Sequence, residues 1–504
     1  ETVAIFGDYD VDGACSAALL GEYLRACGVP FLIHIPDRIS EGYGPNSEAI
    51  RSLAGQGARL LVTVDCGTAS HEPFTEAARL GLDVVVLDHH QAPERLPQAA
   101  ALVNPNRQDD LSGLGHLCAA GVVFLTLVAL NRALRERGFW NGRPAPDLLA
   151  GLDLVALATV ADVVPLTGLN RAFVRQGLAV MRGRQRPGLA ALIDVASLRA
   201  APEAWHLGFL IGPRINAGGR IGDAALGARL LLESDAFAAG RMAGELDRLN
   251  RERQLIEQAA VAEAEAQALL ALDRAAEAPV LVTSSAEWHP GVVGLVAARL
   301  KERFRRPAFA FTAPADGPAT GSGRSVPGAD LGRAVRAAVE AGVAVKGGGH
   351  AMAAGVTVAP GDIGRFAAFV SERLAAGVGD PQLLDSLAID ATLAAGGARP
   401  EIVAAVSKAG PFGSGQPEPV FAFANHRVTD AREVGSSGHV RVSLRSGDGA
   451  TIGGIAFRAA GQPLGQALLK AVGGPLHVAG TLCIDRWGGA ERVELRIVDA
   501  AVPG

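Results

Sequence analysis

Cysteine is scarce in this chain: five residues in 504, at positions 15, 27, 66, 118 and 483, with no C-x-x-C pair among them. An odd count without such spacing excludes a disulfide framework and a zinc knuckle, and points to a reducing compartment. Long hydrophobic runs are missing too, since none reaches the ~20 residues that span a bilayer. The longest, LCAAGVVFLTLVAL from Leu117 to Leu130, is expected to be a buried helix. No secretory leader precedes the first apolar segment, so the expectation is a cytoplasmic protein with no membrane role. The chain has no initiator Met and opens directly on that segment, as a chain trimmed at its terminus would. Nor is there an excess of positive charge: the net is −5, which by itself argues against a nucleic-acid partner.

The distribution of charge qualifies that argument. Residues 1–100 hold 14 acids against 6 arginines, a net of −8, which leaves the remainder at +3. Residues 171–220 carry 8 arginines against 2 acids. An acidic pocket beside a basic surface suits a metal site that works on a polyanion. With 49% hydrophobic and 20% charged residues the chain reads as soluble and globular, and its length predicts about three domains.

The first hundred residues alternate strand and helix. VAIF, FLIHIP, LLVTVD and DVVVLDHH are short continuous apolar strands, separated by helical SAALLGEYLRACG, NSEAIRSLAGQG and HEPFTEAARLG. That pattern predicts a parallel sheet covered on both faces. Three strands run directly into acids, at Asp8, Asp65 and Asp88, and the first belongs to GDYDVDGACS with Asp10 and Asp12 close behind. Parallel strand ends lie along one edge, where open α/β sheets bind ligands. Asp8, Asp10, Asp12, Asp65, Asp88, His89 and His90 are therefore expected to converge. A helix N-cap accounts for any one of these acids, but not for a DxDxD, a separate Asp and a DHH together. Oxygen ligands with one or two imidazoles fit Mn²⁺ or Mg²⁺. So many carboxylates leave room for two ions, as in phosphoryl displacement.

Downstream, helical material runs to about residue 200, and a long Ala/Glu/Gln/Leu/Arg-rich helix is expected from Ala236 to Leu272, bridging domains. A second α/β unit begins at APVLVTSS (278–285) and extends to about residue 378, punctuated by GSGRS (321–325) and KGGGHAMAAG (346–355). After GPFGSGQPEPVF (410–421), period-two segments such as HVRVSLRS and RVELRIV predict a small all-β barrel.

GDYDVDGACS, VTVDCG, LDHH and LATVADVVPL resemble, in order, the four motifs of the DHH phosphoesterases. GPRINAGGRIG (212–222), WHPGVVGLVAARL (288–300), GSGRS and KGGGHAMAAG are similar to one branch, the RecJ single-strand DNA exonucleases, and the resemblance covers essentially the whole chain. It implies a DHH domain over 1–235, a connecting helix over 236–275, a DHHA1-like α/β domain over 276–400 and an OB-fold barrel over 405–504. It further implies that Asp8, Asp10 and Asp12 ligate or support two divalent cations, Mn²⁺ or Mg²⁺, that Asp65 bridges them, and that His89 is an imidazole ligand oriented by Asp88. His90 would face the scissile phosphate. For the fourth motif the resemblance favours Asp162, with Asp153 as the competing choice.

The same resemblance places Arg214, Asn216 and Arg220 in a Gly-rich stretch open to phosphate, where arginine gives bidentate contact. His289, Arg324 and Ser325 are expected on the same surface, and GGGH (347–350) offers the amides of Gly348 and Gly349, capped by His350, as an anion nest, with an ordinary loop as the alternative. The cations of RLKERFRR (299–306) are expected on a solvated helix face with some DNA steering. Aromatics are only 5% of the chain, so binding by the barrel should follow the backbone, with Phe412, Phe421, Phe423 and Trp487 more suited to core than to stacking. The implied activity is metal-dependent 5′→3′ degradation of single-stranded DNA to 5′-mononucleotides in repair and recombination. The two α/β domains would clasp one strand, with the barrel at the entrance. A single-strand-binding protein and a helicase are the implied partners. Two alternatives stand beside it: a phosphodiesterase of short oligonucleotides or cyclic dinucleotides, and a degenerate DNA-binding scaffold that does not cut.

Overall fold

A computed structural model describes residues 1–315, 317–377, 386–435, 438–485 and 491–503. The chain divides into two compact units, one of residues 1–164 with 168–384 and one of residues 165–167 with 385–504.

The first unit opens on a five-stranded parallel sheet of order β2-β1-β3-β4-β5. Its strands are β1 (Thr2–Gly7), β2 (Phe31–His34), β3 (Ala58–Val64), β4 (Asp83–Leu87) and β5 (Ala101–Val103). β1, β3 and β4 are buried almost throughout, which is why they read as unbroken apolar runs. The helices α1 (Val11–Cys27), α2 (Ser47–Gly55) and α3 (His71–Arg79) join the strands, and α4 (Ala119–Glu136) and α5 (Leu152–Ala161) follow β5. α4 is the apolar run of the sequence, with its first half buried and Val128 and Leu130 exposed.

Then come α6 (Gly168–Arg182), α7 (Pro187–Val195), the single turn α8 (Ala204–His206), α9 (Gly212–Ile221), α10 (Leu226–Leu232) and α11 (Ala236–Arg274). The 39 residues of α11 extend about 58 Å at 1.5 Å per residue. This helix carries the chain to a second sheet of order β6-β7-β8-β10-β9. Its strands are β6 (Leu281–Ser285), β7 (Ala308–Thr312), β8 (Ala319–Arg324), β9 (Lys346–His350) and β10 (Ala353–Val358), with helices α12 (Val293–Phe304), α13 (Leu331–Glu340) and α14 (Ile363–Leu374). Only β6 and β7 pair in parallel; the other ladders are antiparallel.

The cations of RLKERFRR lie on a solvent-exposed face of α12, as expected, but several of them are engaged by acids or a carbonyl. Arg299 bonds Glu257 (3.3 Å) and Glu302 (2.9 Å), Arg303 pairs with Glu265, and Arg306 donates to the Ala278 carbonyl (2.6 Å). Glu257 and Glu265 lie on α11, so Arg299 and Arg303 of α12 tie the two helices together.

In the second unit, β11 (Ala391–Thr392), β12 (Phe421–Val434), β13 (His439–Arg445), β14 (Thr451–Ala456), β15 (Pro475–Asp485) and β16 (Arg492–Ala501) form one sheet. An additional β12–β15 pairing closes it into a five-stranded barrel of OB type. Phe421 and Phe423 are buried in its core with Val428, Val442, Leu444 and Leu495. Phe412 is half-buried, and Trp487 lies outside the described residues. Among the described residues no helix is long and apolar enough to cross a membrane.

Candidate active site

The carboxyl ends of β1, β3 and β4 bring the acids together because those strands are neighbours in register: Gly7 pairs with Val64, and Val64 with Leu87. The next residues are Asp8, Asp65 and Asp88. Asp10 caps α1 by accepting from the Gly13 N–H (3.1 Å). Gly13 is required there, because a Cβ would lie 2.3 Å from the Asp8 carbonyl oxygen. Asp12 is buried, and its two oxygens accept the Ala119 N–H (2.6 Å) and Ala120 N–H (2.8 Å) at the start of α4. A helix N-terminus favours a carboxylate.

Three groups of donors result, each with ligand atoms within 4.8 Å of one another: Asp8, Asp10 and Asp65; Asp12, His89 and Asp162; and Asp65, His89 and His90. His89 Nε2 lies 3.3 Å from Asp65 Oδ1 and 3.8 Å from both Asp12 Oδ2 and Asp162 Oδ2. Its Nδ1 faces the Leu117 carbonyl at 3.0 Å, so that carbonyl orients the ring, which corrects the expectation that Asp88 does so. A carbonyl only accepts, so Nδ1 carries a proton, and Nε2 is the ring atom turned toward the carboxylates. Asp8 Oδ1 and Asp65 Oδ1 are buried without a hydrogen-bond partner. Burial first, and then the charge of neighbouring aspartates (Asp10 for Asp8, Asp12 and Asp10 for Asp65 and Asp162), push these carboxyls above the usual range; burial and Asp10 do the same to Asp12. Hard oxygen donors, one correctly oriented imidazole and orphaned buried carboxylate oxygens are the set that divalent cations satisfy. The residues present fit Mn²⁺ or Mg²⁺.

Asp88 stands outside these groups. Its Oδ2 accepts from Thr68 N–H (3.1 Å) and Thr68 Oγ1 (2.6 Å), and its Oδ1 from the His89 N–H (2.7 Å), the His90 N–H (3.2 Å) and His90 Nδ1 (2.8 Å). Burial alone would raise its pKa, but the hydrogen bond and charge of His90 prevail and hold it well below the usual carboxylate range. Reciprocally, burial would lower His90, yet Asp88 carries it up to about 9. The pair presents a cationic imidazole beside the carboxylates.

The two candidates for the fourth motif separate. Asp162 caps the C-terminus of α5 beside His89. Asp153 is buried in an ion pair with Arg186 (2.9 Å), which also pairs with Glu22.

Within electrostatic reach of Asp8 and Asp10 is a cluster of cations. Arg220, in the last turn of α9, donates to the Gly291 carbonyl (3.0 Å), and the Gly291 N–H donates to His289 Nδ1 (3.1 Å). Burial, and then Arg38, Arg253 and Arg324, press Arg220 down to about 9. Burial and Arg38 likewise lower Arg324. Arg38 lies 4.1 Å over the Tyr9 ring, with its Nε buried and unpartnered. Like charges sharing a buried region disfavour one another's charged form, and an anion bound among them would offset that cost. Exposed His350 stands in electrostatic reach of Arg324 and His90.

Several sequence expectations are corrected here. GPRINAGGR is a helix, not an open phosphate loop, and Gly219 lets it approach Tyr9, where a Cβ would lie 2.2 Å from the carbonyl oxygen. Asn216 is half-buried on it, and Arg214 is bound to Asp247 of α11 (2.9 Å) and the Leu210 carbonyl (2.6 Å). Gly348 and Gly349 lie in β9, paired with Gly355 and Ala354, so they form a strand, not a nest. Ser325 is buried and donates to the Ala329 carbonyl (2.6 Å). Ser322 takes the place expected for it, accepting from Arg324 (3.0 Å).

Sequence reasoning also passed over Arg38, Tyr43, Thr68 and Asn104. Asn104 donates to Thr68 Oγ1 (2.9 Å) and to the His90 carbonyl (2.8 Å), and so braces the DHH turn. The strand-end rule that found the aspartates reaches Arg38, just beyond β2, and Asn104, the residue after β5.

Three family models match the chain: the N-terminal domain of the DHH family over residues 2–159, the DHHA1 domain over 277–376 and the RecJ OB domain over 389–499. The single-stranded-DNA-specific exonuclease RecJ of Dickeya dadantii (strain 3937) is 40% identical over 473 residues, 90% of this chain and 80% of that protein. Its namesake in Escherichia coli (strain K12) is 39% identical over 470 residues, with the same coverage of 90% and 80%. Among solved structures, RecJ from Thermus thermophilus in complex with Mn²⁺ superposes with a TM-score of 0.82 at 32% identity, over 100% of this chain and 69% of that one. Its Mg²⁺ complex gives 0.76 at 31%, over 100% and 68%.

Proposed function

Because the chain belongs to the RecJ family of DHH phosphoesterases, we propose that it is a metal-dependent exonuclease that degrades single-stranded DNA from the 5′ end to 5′-mononucleotides. The observation that carries this reading is the juxtaposition of orphaned buried carboxylates with the Arg38–Arg220–Arg324 cluster. Asp8, Asp10, Asp12, Asp65, His89 and Asp162 would hold the divalent ions. Such ions, when bound, supply Lewis-acid polarisation of the phosphodiester and an activated water.

The protein's own residues do the rest. Arg38, Arg220 and Arg324 bind the terminal phosphate, and Ser322 and His289 flank them. Binding there sets the strand's end a fixed distance from the carboxylates, so each cut releases one nucleotide. His90, kept cationic by Asp88, donates to the phosphoryl oxygen as negative charge develops on it. Asp88 and Asn104 hold the imidazole and its turn in place. His350 closes the phosphate side. Single-stranded DNA is the substrate, and repair and recombination are the setting. A single-strand-binding protein and a helicase are the expected partners, in the cytoplasm, where the free cysteines are compatible with a reducing compartment.

A single strand labelled at its 5′ or its 3′ end, digested with Mn²⁺ by the wild type and by Asp65→Ala, tests the reading. Immediate release of 5′-labelled mononucleotide, absent in the variant, is the expected result. A wild type that binds the strand with Mn²⁺ present and releases nothing would replace the nuclease with a scaffold.

A further inference from the structure

We propose that Tyr43 is a positioning residue that holds Asp65 and His90 in register with the metal site. The inference rests on the nuclease reading above. Tyr43 sits in the segment between β2 and α2, which its own side chains make rigid. Asp37 Oδ1 accepts from the Ile39 N–H (3.0 Å), the Ser40 N–H (2.8 Å) and Ser40 Oγ (2.8 Å). Glu41 accepts from the Asp37 N–H (2.9 Å) and Asn46 Nδ2 (3.0 Å), and faces His34 Nε2 at 2.9 Å. Gly42 (φ 86°) and Gly44 (φ 79°), both left-handed, flank Tyr43.

The hydroxyl of Tyr43 donates to the backbone carbonyl of Asp65 at 3.3 Å. It also lies 3.2 Å from Nδ1 and 3.5 Å from Nε2 of His90, against the ring edge between them, with the two rings edge-on at 5.5 Å. The Nδ1 proton of His90 is already directed at Asp88 (2.8 Å), so the single proton of Tyr43 belongs to the Asp65 carbonyl.

Asp65 needs that partner. Its φ is +62°, a conformation that L side chains rarely adopt and that persists only where its surroundings over-determine it. On one side its N–H donates to the Leu87 carbonyl (3.0 Å); on the other its carbonyl receives Tyr43. The peptide is thus pinned at both ends, and the pin fixes where the buried, unpartnered Oδ1 points. Removing the hydroxyl releases one end. The ring remains, so the edge of His90 stays covered and the strap still carries Arg38.

The test is Tyr43→Phe in the full chain, with two readouts. Mn²⁺ binding measured by isothermal calorimetry without DNA should weaken about 10-fold, and kcat on a 5′-phosphorylated single strand should fall about 10–100-fold, the range for partners of metal ligands. KM should not move. Wild-type values for both Mn²⁺ affinity and kcat would overturn the proposal. So would a raised KM with kcat and Mn²⁺ affinity intact, which would mean that Tyr43 only seats Arg38. If the wild type itself released no nucleotide, the nuclease reading would fall, and the Mn²⁺ isotherms alone would still decide the role of Tyr43.

Discussion

Asp153 and Asp162 are nine residues apart in one apolar segment, and the fold gives them opposite work. Asp162, at the end of α5, faces His89 and the carboxylates; Asp153, a helix length earlier, neutralises Arg186 inside the domain. Asp162→Asn should therefore weaken Mn²⁺ binding and abolish nucleotide release while leaving the metal-free melting curve at least as stable. Asp153→Asn should do the reverse: Mn²⁺ affinity holds, and stability drops by about 3 kcal/mol, the low end for breaking a buried pair because Glu22 still offsets Arg186. Calorimetric Mn²⁺ isotherms and denaturant melts of the two variants check both halves. The motif order alone left the choice open, since both residues continue the same helix-like run. What separates them is the partner, and a partner such as Arg186, 33 residues away, is invisible until the chain is folded.

At the scale of elements, β8 shows why some of the site was hidden. Gly321 and Gly323 face Phe311 and Phe309, where a Cβ would lie 2.4 and 2.5 Å from the rings. The period of two then turns Ser322 and Arg324 to the other face, toward Gly294, and leaves Ser325 to the turn beyond the strand. Gly323→Ala should destabilise the protein by about 1–3 kcal/mol through overpacking against Phe309. Ser322→Ala should raise KM for a 5′-phosphorylated strand with little change in stability. Steady-state kinetics and thermal melts of the pair separate the two faces. The parallel strands β1, β3 and β4 were legible because both their faces are buried, so hydrophobicity runs unbroken along them. β8 and β9 were not, because glycine has no side chain to show a period. GSGR and KGGGH show no strand period in the sequence, although each is a ladder. The same gap hid the packing role of α9, whose glycines fit against the Tyr9 backbone.

For the whole molecule, the question is what offsets the repulsion among acids gathered at one sheet edge. The carboxyls of Asp8, Asp12, Asp65 and Asp162 are all raised by burial first, and Asp162 reaches about 9 against an ordinary 3.8. A group whose folded pKa is raised binds more protons when folded than when unfolded, so its contribution to stability is present below the ordinary pKa and lost as pH climbs through the folded one. For Asp162 that window runs from 3.8 to about 9. The metal-free protein should therefore melt at progressively lower temperature as pH rises through that window. Mn²⁺ should reverse the trend at its upper end, since a ligand at 100 times its Kd adds about 2.7 kcal/mol. Asp65→Asn removes one of the repelling charges and a candidate ligand oxygen together. Without metal it should melt above the wild type at the upper end of the window, with a flatter pH dependence, and Mn²⁺ should shift it far less. Scanning calorimetry across the pH range, with and without Mn²⁺, reads both signs at once. A metal-free Asp65→Asn protein less stable than the wild type would mean that Asp65 holds the fold by contacts other than the cations it is placed to share.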